Sequence, residues 1–222
     1  MARMKRVVVP GYPHHIVQRG VRSMDIFFEE QDRVEYLNIL RKQGDRFEVK
    51  FLAYCLMTNH LHLLAVPKHS DSLARAIGEA HRLYTRMVNF REGVRGYLFQ
   101  GRFSSCPVST DKYLLTAVQY ILRNPVKAKM VNYPWEYQWS SARYHCGLTT
   151  YDFLVQDDEL LSNIDNWQEF LSVDSEMSSV LTQKSRTGRP FGGDDFYTVV
   201  EKLTGACVPG ISEFSLWDFL RI

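Results

Sequence analysis

Along this chain the hydrophobic positions recur first every second residue and then at helical spacing, and the order of those switches predicts the elements. Tyr12 to Gly20 reads as a short strand closed by glycine. From Asp32 to Phe47, Val34, Tyr36, Leu37, Leu40 and Gln43 give a helix with one buried side. Val49 to Met57 is apolar on both faces, as in a strand covered on two sides, and Thr58-Asn59 turns it into a second strand ending at Pro67. Ser72 can cap a long helix to about Phe90, with an apolar stripe of Leu73, Ala76, Ile77, Ala80, Leu83, Tyr84 and Met87. Tyr97 to Val108 predicts a further strand, with Gly101 at a bulge or a close backbone approach. Strand, helix, strand, strand, helix, strand is the split βαβ order of a ferredoxin-like α+β fold, an antiparallel sheet with helices on one face.

The helix that follows that order, which Asp111 is placed to cap, carries Leu114, Leu115, Val118, Ile121 and Leu122 on its apolar side. Tyr113, Thr116, Tyr120, Arg123, Asn124 and Lys127 fall on the other side, so Tyr120 points away from the core of its own helix, with Asn124 one turn later. Pro125 removes a backbone donor and predicts a kink or an end. Trp135, Tyr137 and Trp139 then form an aromatic cluster that packs back on the body.

Candidate chemistry concentrates in Asn59-His60-Leu61-His62-Leu63-Leu64. In a strand, side chains at i and i+2 leave the same face, so His60 and His62 point together while Leu61, Leu63 and Ala65 face a core. Two neutral imidazoles on one face are a bidentate metal clip with open positions, a pattern suited to catalysis more than to a closed structural site. The competing interpretation is a pair of histidines bonded to backbone groups at a strand start.

Charge changes the picture once the chain is divided at residue 150. Residues 1–150 carry 22 Lys+Arg against 12 Asp+Glu and residues 151–222 carry 5 against 13, so +10 and −8 lie inside a net charge of +2. A basic body implies a polyanionic partner, and the acidic end is a solvated face or a restraint on that basic surface. Two domains are expected, 1–150 and a small helical C-terminal extension, 151–222. In the extension, Asp165 to Leu171 and Asp195 to Leu203 read as short helices, with Gln183 to Pro190 a basic loop between them. Its Gly188-Arg189-Pro190 could enter a DNA minor groove or simply form a turn. Arg75, Arg82 and Arg86 make either a phosphate-tracking row or a wet helix face, and Arg3, Lys5 and Arg6 a basic start. Cys55, Cys106, Cys146 and Cys207 have no close pair and read as reduced thiols. No signal peptide or bilayer-spanning run is read, so a cytoplasmic protein with no membrane partner is expected.

Four ordered motifs carry a resemblance: Met57-Thr58-Asn59-His60-Leu61-His62-Leu63-Leu64, Phe99-Gln100-Gly101-Arg102-Phe103, Tyr120 through Ala128, and Trp139-Ser140-Ser141. Over about residues 8 to 145 the chain resembles the REP-associated tyrosine transposases, relatives of the small insertion-sequence transposases in the HUH endonuclease superfamily. The resemblance implies a metal-dependent nuclease and strand transferase on single-stranded, hairpin-bearing DNA. It implies that His60 and His62 hold Mg2+ or Mn2+ with Asn124, where insertion-sequence relatives often carry glutamine, and that Tyr120 is the nucleophile forming a 5′-phosphotyrosine. A free phenol has a pKa near ~10, so the metal or a cation among Arg102, Arg123 and Lys127 must help to ionise it. DNA contacts are expected from those three and from Arg75, Arg82 and Arg86, and a homodimer is compatible with the sequence. Two alternatives stay open: a nucleic-acid-binding regulator that no longer cuts, and a metal-dependent hydrolase of small substrates that does not use Tyr120.

Overall fold

The computed structural model describes residues 6–110 and 112–205, so Arg3, Lys5, Cys207 and the Asp111 cap lie outside the described residues. Strands β1 (His14–Arg19), β2 (Val49–Leu56), β3 (His60–Pro67) and β4 (Ser104–Pro107) form one sheet in the order β2-β3-β1-β4, with every neighbouring pair antiparallel. This is the ferredoxin-like order expected from the alternation of periods. The register sets Arg19 opposite His60 and Val17 opposite His62, which brings the ends of β1 and β3 together at one edge of a site.

Helices cover both faces of the sheet, not one. On the first face α1 (Glu30–Phe47) and α2 (Ser72–Glu92) bury Leu37, Leu40, Ala76, Ile77 and Ala80 against Ile16, Leu61, Leu63 and Ala65. On the second, α3 (Lys112–Leu122) buries Leu114, Ala117, Val118, Ile121 and Leu122 against Leu52, Ala53, Leu64 and Cys106. The doubly apolar β2 allows this: its pairing shifts between Phe51 and Ala53, so Leu52 and Ala53 both serve the second core. The face of β3 that carries the histidines is therefore also a packing face, through Leu64.

Three boundaries differ from the periodicity. The strand expected over Tyr97 to Val108 is regular only from Ser104, because Gly101 adopts a left-handed φ of 62° and the preceding segment meets β1 through a Gly20–Phe99 bridge. Ser72 is the first helical residue, behind a cap at Asp71, and its Oγ accepts from the His69 amide at 3.1 Å. The tyrosine helix breaks at Arg123, and a short α4 (Asn124–Lys127) restarts with Pro125 in its first turn.

After α4 the aromatic segment returns to the sheet as expected: Tyr137 Oη donates to the Leu56 carbonyl at 2.8 Å and the Leu56 amide to the Trp139 carbonyl at 2.9 Å. One short turn, α5 (Ala142–His145), leads into residues from 151 onward. These form α6 (Trp167–Ser172), α7 (Ser178–Thr187) and α8 (Asp194–Thr204). Leu161, Leu171, Leu181 and Phe191 join the second core, while Phe196, Tyr197 and Val200 pack on Val9.

Much of the expected basic loop Gln183 to Pro190 is helical, since α7 runs through Thr187 before Gly188 ends it at a left-handed φ of 70°. Gly188-Arg189-Pro190 is tied to the sheet edge instead of projecting toward a groove. The Cys106 thiol donates to the Arg189 carbonyl at 2.9 Å, Tyr197 Oη donates to the Pro190 carbonyl at 2.9 Å, and Phe191 bridges Val108. Thr116, expected on a polar side, is buried because the extension covers that side; its hydroxyl donates to the Lys112 carbonyl and meets Ser175 Oγ at 3.2 Å. Among the described residues no helix is long and apolar enough to cross a membrane.

Candidate active site

A cavity of about 510 Å³ opens where β1 and β3 end beneath α3. His60 and His62 reach it from β3, Tyr120 and Asn124 from the break in the tyrosine helix, and Arg102 from the segment before β4. The period-2 reading of β3 holds: the two imidazole rings lie 5.1 Å apart, nearly perpendicular.

Each histidine has one ring nitrogen engaged by a neighbour. His60 Nδ1–H donates to Asn59 Oδ1 at 2.7 Å, and Asn59 is itself held by its amide on the Ser23 carbonyl at 3.2 Å. His62 Nδ1 shares a hydrogen with His15 Nε2 at 3.0 Å. That leaves Nε2 on both rings as the atoms available to a ligand. Burial, with the positive charge of Arg19, pushes His60 down to about 4, and burial chiefly, with His15, His60 and Arg19, holds His62 well below the ordinary imidazole range. Both rings are therefore neutral near pH 7, the form that can ligate a cation.

Tyr120 is half-buried, with its ring edge-on to His62 at 5.6 Å and to His15 at 5.5 Å between centroids. Lys127 Nζ lies 5.0 Å from the centre of the same ring and 3.1 Å from Asp174 Oδ1. Asn124 donates its amide to the Tyr120 carbonyl at 2.7 Å and reaches toward the Ile121 carbonyl, whose usual helical donor would be Pro125. Its side-chain nitrogen thus closes the helix end, and its Oδ1 is the atom left to meet a cation.

Among the described residues no three His, Cys, Asp or Glu side chains converge as a metal cage. Two imidazole Nε2 atoms and one amide oxygen still fit a divalent ion that takes its remaining ligands from water and phosphate, as oxygen-seeking ions do on nucleic acid substrates.

The other expected contacts divide. Arg102 is exposed and lines the cavity. Arg123 is turned into the extension, donating to the Leu171 carbonyl, with Nε 3.9 Å from Asp174. Arg75 pairs with Asp71 and lies over Phe47, Arg82 pairs with Glu79, and Arg86 is exposed on the same helix. All three belong to α2, across the sheet from the cavity.

The sequence reading missed His15, Arg19, Thr182, Ser185 and Arg186, all of which line the cavity. Parity along β1 could have found the first two, because His15, Val17 and Arg19 share one face. No local signal marks the other three: they sit on α7, whose position depends on long-range packing against β1, β4 and α3.

A protein of Haemophilus influenzae described as a REP-associated tyrosine transposase is 26% identical over 148 residues, covering 59% of this chain and 84% of that protein. A solved REP-associated tyrosine transposase bound to a REP hairpin superposes with a TM-score of 0.57 at 17% identity, covering 71% of this chain and 93% of that one, a likeness of fold. A crystal structure from Deinococcus radiodurans, assigned to a transposase, gives a TM-score of 0.38 at 16% identity, covering 58% and 92% of the two chains. Residues 9–124, more than half of the sequence and including His60, His62, Tyr120 and Asn124, match the family described as transposase IS200 like, and the chain belongs to that IS200-like transposase family.

Proposed function

We propose that this transposase cuts and rejoins single-stranded DNA flanked by a hairpin, through a covalent 5′-phosphotyrosine on Tyr120. The observation that carries the proposal is the meeting of the Tyr120 ring with the His60–His62 pair in one cavity whose wall also presents Arg19, Arg102 and Arg186. The arginines attract and orient phosphates, and a cavity at the end of a sheet admits one strand more readily than a duplex. The relative solved with a REP hairpin supports a hairpin as the docking shape.

In the cleavage step Tyr120 Oη attacks the scissile phosphorus in line; the P–Oη bond forms and the bond to the 3′ oxygen breaks. The phenol gives up its proton and the departing 3′ oxygen takes one, so no net charge is created. The phosphodiester energy is kept in the phosphotyrosine, and a 3′-hydroxyl can reverse the step without a nucleotide cofactor. Mg2+ or Mn2+, held by His60 and His62 with Asn124 Oδ1, would supply charge for the phosphate oxygens and help the phenol to ionise. Lys127, beside the Tyr120 ring, and Arg102 are the chain's own cations for that purpose. Arg75, Arg82 and Arg86 would follow a more distant stretch of DNA across the molecule, and Arg123 would first have to leave its contacts with the extension.

A suicide substrate tests the reading: a nicked oligonucleotide whose short product diffuses away should leave DNA covalently attached, since no 3′-hydroxyl remains to reverse the bond. Tyr120→Phe keeps the ring and should bind the oligonucleotide without forming the adduct, while Tyr113→Phe should still react. An adduct of wild-type yield on Tyr120→Phe would move the nucleophile elsewhere. Binding with no adduct in wild type, with or without Mg2+, would favour a regulator that no longer cuts.

A further inference from the structure

A chain of side chains runs from the extension to the metal clip. Ser185 Oγ on α7 lies 2.7 Å from His15 Nδ1, and His15 Nε2 lies 3.0 Å from His62 Nδ1. The rings of His15 and His62 are within 10° of parallel with centroids 5.2 Å apart. That separation is close to one hydrogen bond plus the two distances from centroid to nitrogen, so the bond runs in the plane of both rings and they are not stacked face to face. All three side chains are buried, at 5%, 1% and 4% exposure, so solvent does not compete for these nitrogens.

Two proton arrangements satisfy the chain. In one, Ser185 donates to His15 and His15 to His62; His62 then carries its hydrogen on Nε2 and presents an N–H donor to the cavity. In the other, His62 Nδ1–H donates to His15 Nε2, His15 Nδ1–H donates to Ser185 Oγ, and the His62 Nε2 lone pair faces the cavity. His60 offers the precedent: Asn59 Oδ1 can only accept, so His60 must be the Nδ1–H tautomer with Nε2 free.

We propose that His15 and Ser185 are positioning residues that hold His62 as its Nδ1–H tautomer, so that α7 of the extension completes the cation site without touching the cation. This rests on the reading of His60 and His62 as ligands. It gives His15 a role that neither the histidine pair nor Tyr120 fills, and it makes a serine 170 residues away in sequence part of the site. Partners of this kind fix ring orientation and ligand basicity.

The test measures Mn2+ affinity by electron paramagnetic resonance on the full-length protein, together with the His62 tautomer by nitrogen-15 NMR on the metal-free protein. Wild type should show His62 protonated at Nδ1. His15→Ala should weaken Mn2+ binding about 10–100-fold and release the tautomer preference, while His15→Gln, whose carbonyl can sit where Nε2 sat and accept the Nδ1–H, should restore most of the affinity. Should His15→Ala fail to fold, Ser185→Ala serves in its place, with a smaller loss of affinity and the same drift of tautomer. His62 protonated at Nε2 in wild type, or a folded His15→Ala protein that binds Mn2+ as tightly as wild type, overturns the proposal. A wild-type protein with no Mn2+ affinity would instead overturn the ligand reading on which it rests.

Discussion

Residue by residue, the candidate site was legible wherever partners lie close along the chain. His60 and His62 meet because a strand repeats every two residues, and Tyr120 and Asn124 because they stand one helical turn apart, a spacing kept across the break at Arg123. The clip makes a direct prediction. Under the proposed reading His60→Ala would remove a cation ligand from a half-exposed position, so folding should be little changed, while cleavage of hairpin DNA should fall by at least about 100-fold, beyond what losing a merely orienting partner costs. Excess chelator should do the same to wild type, and full cleavage in chelator would remove the cation from the reaction. His15 was read only as part of a strand, since its partners come from sheet register and from a distant helix, neither of which a local pattern encodes.

At the level of elements, β2 and β3 were readable to within a residue, because apolar runs bounded by turn residues leave little choice. The helix α7 was not, because Gln183 to Thr187 looks like a basic loop until Leu181 finds the second core and Ser185 finds His15. The start of α1 shows how one side chain can join two elements. Asp32 accepts from the Phe28 and Glu29 amides at 2.8 and 3.1 Å and from Arg91 near the end of α2. Burial alone would raise this carboxyl; the hydrogen bonds from Arg91 and the two amides outweigh it and hold Asp32 below the ordinary carboxylate range. Asp32→Asn should therefore cost about 2–3 kcal/mol at pH 7, combining a lost charged hydrogen bond with a weakened helix cap. The sign of the pH dependence follows from the lowered folded value. The stabilisation is complete above the unfolded carboxylate pKa of ~3.9 and is lost as pH falls from there through the folded value. Urea midpoints of wild type and Asp32→Asn should accordingly lie far apart at pH 7 and draw together progressively as pH falls below ~3.9; a gap that stays constant would show that the charge of Asp32 is not what stabilises the joint.

For the molecule as a whole, the charge division at residue 150 was visible in the sequence, but its use was not. The acidic extension answers cations of the basic body: Asp158 pairs with Lys50, and Asp174 with Lys127 and Arg123. The same segment supplies Leu161, Leu171, Leu181 and Phe191 to the second core, and Phe191 completes the edge of β4, its amide donating to the Pro107 carbonyl and its carbonyl accepting from the Ser109 amide. The boundary in charge is thus crossed by shared packing, and that sets the expectation for a chain ending at residue 150. Removing the extension returns parts of α3, β2 and β4 to water, at ~1.5–3 kcal/mol for each large apolar side chain uncovered, against a total stability of ~5–15 kcal/mol for an ordinary domain. It also strips Ser185 from His15 and frees Lys127 and Arg123. The shortened chain should melt at least about 10 °C below the full protein, with a broader transition, and should bind a hydrophobic dye that the full protein excludes. Differential scanning calorimetry with dye fluorescence measures both, and a 1–150 chain that melts as sharply and as high as the full protein would show that the extension only rests on a body able to stand alone.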